Sequence, residues 1–190
     1  MSRMSLLALA MIWTNCAPAL GQAGSPPAAA PAAPASGPCE GEAYHQFDFF
    51  AGTFTVADQN EVIVADETVA PQFDHCILHE SFVGRNGRAA ESMSFYDPVE
   101  RKWFQYATGL GLIFRLQGEL RNGAMELEGT ITHIRRGQVR PMRARFAPLP
   151  GGNVREELYE QAAGAQQYSL IFAGTLRRQA PNGQSGAMPH

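Results

Sequence analysis

Leu112–Thr132 reads LIFRLQGELRNGAMELEGTIT, and its alternation decides the fold. Leu112, Phe114, Leu116, Leu120, Met125, Leu127 and Ile131 are apolar, while Arg115, Gln117, Glu119, Arg121, Glu126, Glu128, Thr130 and Thr132 stand between them. Period-two alternation marks strands with one face buried and the other in water. Asn122-Gly123 at the centre is a favoured pair for a two-residue hairpin turn, whose central residues both need positive φ. That turn sets Leu120 opposite Met125 and Phe114 opposite Ile131, which brings every apolar residue named to one face. Pattern and turn chemistry agree on a β-hairpin.

The same alternation runs outward in both directions, broken at Asn86-Gly87, Asp97-Pro98, Gly109-Leu110, Arg136-Gly137, Pro150-Gly151-Gly152 and Ala163-Gly164. Such pairs mark turns. They delimit strands near 53–57, 61–69, 76–83, 89–96, 102–108, 111–120, 124–134, 138–147, 153–161 and 167–177. The expectation is an all-β chain, an antiparallel up-and-down β-barrel of about 8–10 strands, because closure leaves no exposed edge. A short helical segment (YHQFDFFAG, Tyr44–Gly52) precedes it. A two-sheet sandwich is the alternative, but no long crossover of a Greek key is in view.

Register carries the inner face around the barrel. A two-residue turn at Asn86-Gly87 places Leu78, Glu80 and Phe82 alongside Glu91, Met93 and Phe95, and turns Ser92 and Tyr96 outward. A tight Gly109-Leu110 turn sets Gln105 opposite Phe114 and Trp103 opposite Leu116. The Arg136-Gly137 turn sets His133 opposite Arg140 and Ile131 opposite Met142, with Phe146 on the same face. The Asp97–Lys102 loop is the open joint, since a one-residue slip there would flip Trp103 and Gln105.

The ends read differently. Arg3, the apolar run Met4–Trp13 and the small residues up to Ala23 have the layout of a secretory signal peptide over 1–23, too short to span a membrane. Export predicts a periplasmic or secreted protein. Lipid anchoring at Cys16 is the less favoured alternative, because Asn15 stands where a small residue is usual. Gly24–Pro38 holds five Pro, six Ala and no charge, and reads as a disordered, extended linker. The barrel domain spans 39–178, and 179–190 reads as a flexible tail. Loss of Cys16 with the signal leaves Cys39 and Cys76, a disulfide in an oxidising compartment or two buried thiols otherwise.

The net charge of −3 excludes the basic footprint of a nucleic-acid binder, and of 15 basic residues only Lys102 is lysine. No transmembrane segment is expected, and the sequence leaves the oligomeric state open.

Several segments carry a resemblance. FDFFAGTF (Phe47–Phe54), DHCILHE (Asp74–Glu80), ESMSFYD (Glu91–Asp97), KWFQ (Lys102–Gln105), LRNGAMELEG (Leu120–Gly129), MRARF (Met142–Phe146), NVREE (Asn153–Glu157) and FAGTLRR (Phe172–Arg178) occur in order. Together they resemble the bacterial family of uncharacterised function catalogued as DUF1579. The resemblance implies a calycin-like barrel, similar to lipocalins, with no established reaction. Phe50, Phe54, Phe146 and Tyr168 stand at or near positions where that family usually has Trp. Thr108 and Gly109 occupy the stretch where it tends to carry an acidic residue.

Candidate chemistry centres on Glu80, which belongs to one of those motifs and faces inward between Leu78 and Phe82. A buried carboxylate needs a partner or a proton, and Gln105 and Arg140 are the inward polar groups expected to help. With Trp103, Phe114 and His133 they form the expected ligand-binding set. Trp103 reads as core more readily than as a ligand platform. His133 resembles the inner-face haem ligand of nitrobindin-type barrels, but the glycine-and-tryptophan opening of those proteins is missing and Arg140 disfavours a cationic centre. His75 and His79 lie about 13 Å apart along a strand, too far to share a metal. No cofactor, metal or catalytic residue is expected. The reading is an exported barrel that binds a small hydrophobic molecule. The alternatives are a barrel enzyme acting through Glu80 and a structural envelope protein with a filled barrel.

Overall fold

The computed structural model describes residues 37–180. The expected signal segment, the linker up to residue 36 and the tail from residue 181 lie outside the described residues. The strands are β1 (Gly52–Asp58), β2 (Ile63–Gln72), β3 (Ile77–Gly84), β4 (Ala89–Asp97), β5 (Lys102–Gly109), β6 (Leu112–Arg121), β7 (Ala124–His133), β8 (Gln138–Pro148), β9 (Val154–Gln161) and β10 (Tyr168–Arg178). Each pairs antiparallel with its chain neighbours, and β10 closes onto β1, with Phe54 opposite Arg178 and Val56 opposite Leu176. This is the expected up-and-down barrel rather than a sandwich, and no strand edge is left unpaired. Among the described residues no helix is long and apolar enough to cross a membrane.

The turns explain which faces were read correctly. Asn122 (φ 50°) and Gly123 (φ 77°) form the two-residue turn, and Leu120 pairs with Met125. Leu110 (φ 55°) and Gly111 (φ 84°) form the next such turn, one residue later than Gly109-Leu110. Gln105 therefore pairs with Leu116, and Trp103 with Gly118. The 134–137 loop shifts β8 likewise, so His133 faces Gln138 and Ile131 faces Arg140. These shifts change partners by two residues and leave every side chain on its expected face.

The β3–β4 turn is different. Gly84 N–H donates to the Arg88 carbonyl at 2.8 Å, so the loop holds three residues, Arg85 to Gly87, with Gly87 left-handed (φ 75°). A type I turn followed by a left-handed residue suits strand twist as a two-residue turn does. Here Asn86 Oδ1 accepts the Arg88 N–H at 3.0 Å. An odd loop flips the strand. Ser92 and Ser94 are buried inside and Tyr96 packs on the core, while Glu91, Met93 and Phe95 face outward, contrary to expectation. Phe95 instead stacks on Phe104 and Tyr106 along the outer wall. At the open joint, Asp97 Oδ1 accepts the N–H groups of Val99 and Glu100, and Asp97 pairs with Lys102. That settles Trp103 and Gln105 inside.

One end of the barrel is solid. The short helical segment is two 3₁₀ turns, Glu42–His45 and Asp48–Phe50, which lay Phe47 and Phe50 across the opening. Both are buried. Phe47 stacks on Phe50 with centroids 5.0 Å apart and meets Trp103 and Phe146 edge-on at 5.6 and 5.3 Å. Phe54, Leu78, Leu116, Met125 and Leu176 complete this core. A buried side chain of this size contributes about 1.5–3 kcal/mol. Arg178 holds the plug from outside, lying over the Phe54 ring and donating from Nε to the Gly152 carbonyl at 2.8 Å. Cys39 and Cys76 are bonded, tying the segment before the plug to the β2–β3 turn.

Two expectations follow. Leu116, 2% exposed, faces the core, whereas its neighbour Gln117 faces outward. Leu116→Asp should lower stability by several kcal/mol and Gln117→Asp by less than about 1 kcal/mol, measured by urea unfolding. Equal losses would contradict the face assignment. Thiol titration of residues 24–190 under denaturing, non-reducing conditions should find no free thiol, and reduction should cost about 2–4 kcal/mol for a 37-residue separation. Two free thiols would refute the bond.

Candidate functional site

Alternation along β2 points Ala65, Glu67 and Val69 inward, and all three are buried. Along β3 the inward residues are Leu78, Glu80 and Phe82, and along β9 they are Val154, Glu156, Leu158 and Glu160. These three strands bring Glu67, Glu80 and Glu156 into one lumen above the plug. Ser92 and Ser94 of β4 and Gln105 of β5 join them, all buried. Ser92 Oγ donates to Glu80 Oε2 at 2.5 Å. The partner that Glu80 was expected to find in Gln105 or Arg140 is thus Ser92, a residue the mistaken β4 register had turned away.

Beyond this polar belt the lumen becomes apolar. Phe82 follows Glu80 along β3, Leu158 follows Glu156 along β9, and Phe114 and Phe172 face in from β6 and β10, each packed against the core and only half-buried. Inward Ala90 and Ala107 are half-buried too. An inward side chain in a closed barrel keeps accessible surface only where a space at least a water wide adjoins it. The plug half is packed, and the other half has room beside Phe82, Ala90, Ala107, Phe114, Leu158 and Phe172, while Ile131 and Met142 there are fully buried.

The mouth is ion-paired. Glu160 of β9 forms an ion pair with Arg140 Nη1 at 3.2 Å and meets His133 Nε2 at 3.0 Å. Arg140 and His133 do stand together, as expected, but through Glu160, which the sequence reading did not include. Trp103 lies in the plug at 2% exposure and belongs to the core. Gln105 sits in the belt and Phe114 in the apolar collar.

Two of the belt carboxylates reinforce a third. Burial pushes Glu67 well above the ordinary carboxylate range, and the charges of Glu80 and Glu156 add to it. Burial raises Glu156 to about 8, again with help from Glu80. Burial raises Glu80 as well, partly offset by the Ser92 hydrogen bond. Glu67 Oε1 has no hydrogen-bond partner. Such a belt holds protons near neutral pH and donates them, or gives them up when a cation arrives.

Other groupings bear on function less directly. His45, Asp48 and His75 are the one trio of His, Cys, Asp or Glu among the described residues whose ligand atoms all lie within 4.8 Å of one another. His75 meets the plug turn rather than His79, which pairs with Glu91 on the outer wall at 2.8 Å. The spacing along β3 concealed this trio, because two of its members come from the segment preceding the barrel. A cavity of about 430 Å³ on the outer wall is lined by Arg121, Glu126, Glu128, Arg143 and Arg145. Those charges face each other across β6, β7 and β8, and Glu126 and Glu128 meet Arg145 and Arg143 at 3.8 and 3.9 Å.

No family model matches the chain, and no curated protein matches it. Fold and lumen therefore carry the functional argument.

The raised carboxylates have a consequence for stability. Glu156 binds its proton more tightly folded than unfolded, so between its unfolded value of about 4.5 and its folded value of about 8 the folded state holds more protons. Stability is present in full below the lower value and falls as pH rises through the window. One such group contributes a slope approaching about 1.4 kcal/mol per pH unit. The melting temperature should fall from pH 5 to pH 8, and Glu156→Gln should flatten that fall while matching the parent at pH 5. A parent whose melting temperature holds or rises across the window would contradict these burial assignments.

Proposed function

We propose that the protein is an exported, calycin-like binding module, allied to the DUF1579 family, that holds a small, mainly hydrophobic molecule in the open half of its barrel. The observation that carries this reading is the division of the lumen. An aromatic plug closes one end, while the inward Phe82, Phe114, Leu158 and Phe172 at the other keep accessible surface. Ligand sites combine an apolar lining with a few placed polar groups, and mouths of β-barrels are a common place for them. Glu80, bonded to Ser92, offers the fixed polar contact, with Gln105 beside it in the belt. The apolar collar receives the body of the ligand, and Arg140, His133 and Glu160 order the mouth. The disulfide fits an oxidising compartment and so supports export.

Filling the space tests this reading. Ala107 points inward, is half-buried and pairs with Phe114 and Ser92. The neutral probe N-phenyl-1-naphthylamine should brighten on binding the parent, and Ala107→Trp should weaken it about tenfold or more at unchanged melting temperature. In a solid barrel the larger side chain would instead cost about 1–3 kcal/mol, and the parent would not bind the probe. That outcome favours a filled structural barrel.

A further inference from the structure

We infer that the lumen selects a cationic amphiphile, an aliphatic ammonium ion whose charged head reaches Glu80 and Glu156, with Glu67 directly beneath them, while its chain lies in the aromatic collar. The inference rests on the lumen-binding reading and adds the charge of the ligand to it.

Alternation turns three carboxylates from three strands inward, Glu80 and Glu156 half-buried beside the open space and Glu67 buried beneath them, and no basic side chain accompanies them. Inward positions nearby on β1 are Phe54 and Val56, those on β6 are Phe114 and Leu116, and those on β10 are Phe172 and Leu176. Strands β4 and β5 offer the neutral Ser92, Ser94 and Gln105. The basic groups that do face inward, Arg140 on β8 and His133 on β7, are engaged by Glu160 toward the mouth. His79 and Glu91 act on Glu80 only from the outer side of the wall.

Glu67 gives the independent indication. It is 2% exposed, its strand alternation directs it inward, and its Oε1 accepts no hydrogen bond. A buried polar atom without a partner is costly, so Glu67 gains from turning its carboxyl toward a donor that a ligand brings. An ammonium group brings up to three donors and a positive charge together. A single metal ion fits less well, because Glu67, Glu80 and Glu156 do not bring their oxygens within 4.8 Å of one another as a trio. A fatty acid would place a carboxylate against three others.

The ammonium ion also draws protons from the belt. Its affinity should therefore rise with pH as the carboxylates ionise through the range up to about 8 set by Glu156. A primary alkylamine stays charged there, its pKa being about 10.4 by analogy with lysine.

Displacement of N-phenyl-1-naphthylamine by octylamine, 1-octanol and octanoate at pH 6 and pH 9 tests the inference. Octylamine should displace the probe about tenfold more tightly than octanol at pH 9, as expected of a charge-assisted hydrogen bond. The amine-to-alcohol ratio should be larger at pH 9 than at pH 6. Glu67→Gln and Glu156→Gln, which keep side-chain volume, should each reduce that ratio, with circular dichroism and melting reporting whether each variant is folded. Octanol matching octylamine at both pH values, or octanoate binding best, overturns the inference and leaves the lumen reading standing. A parent that binds neither probe nor any octyl compound overturns both.

Discussion

Everything in this barrel depends on where the aromatic plug sits. Phe47 and Phe50 enter from outside the strand sequence and pack on Trp103 and Phe146. The contact makes one end dry and leaves the other with inward side chains that still meet space. Phe54, Leu78, Trp103, Leu116 and Phe146 of the strands fill the same end, and the plug seals it over them. Glu67, Glu80 and Glu156 form the floor of the resulting cup, and burial is the largest influence on all three. Arg178 and the Cys39–Cys76 bond act on the same joint, one from β10 and one through the segment before the plug.

The polar belt is expensive in folding terms, which is why it is informative. Leu or Met at the three glutamate positions would pack without a desolvation penalty. The carboxylates are instead held beside hydroxyl and amide groups, Ser92, Ser94 and Gln105, in a part of the lumen bounded by apolar collar on one side and plug on the other. Only Glu80 receives a hydrogen bond from a side chain in the belt, from Ser92. Glu67 is left with an unsatisfied oxygen. A purely structural network would more naturally be closed on itself, as Glu160 is with Arg140 and His133 at the mouth.

Much of the fold was legible because turn chemistry and alternation are local. Asn122-Gly123 carries its register in two residues, and strand number, order and closure follow from repeating the same reading. The β3–β4 turn was not legible in this way. Asn86-Gly87 has the same letters as Asn122-Gly123 but forms the last two residues of a three-residue loop, and this one-residue difference exchanged the faces of β4. The consequence reached the site, since Ser92 was turned outward and the partner of Glu80 sought in Arg140. Glu67 and Glu156 were missed although alternation along β2 and β9 was there to find them, because each acquires meaning only from strands that meet it across the lumen. The trio of His45, Asp48 and His75 is hidden for a similar reason: it joins the plug turns to a hairpin loop.

Carbon-13 NMR titration of the glutamate carboxyls tests most directly whether the barrel is a cup with a buried carboxylate floor. Glu156 should titrate near 8, with Glu67 and Glu80 above the ordinary value of 4.5. Titration of Glu67, Glu80 and Glu156 together near 4.5 would mean that bulk water reaches all three, and would contradict the account.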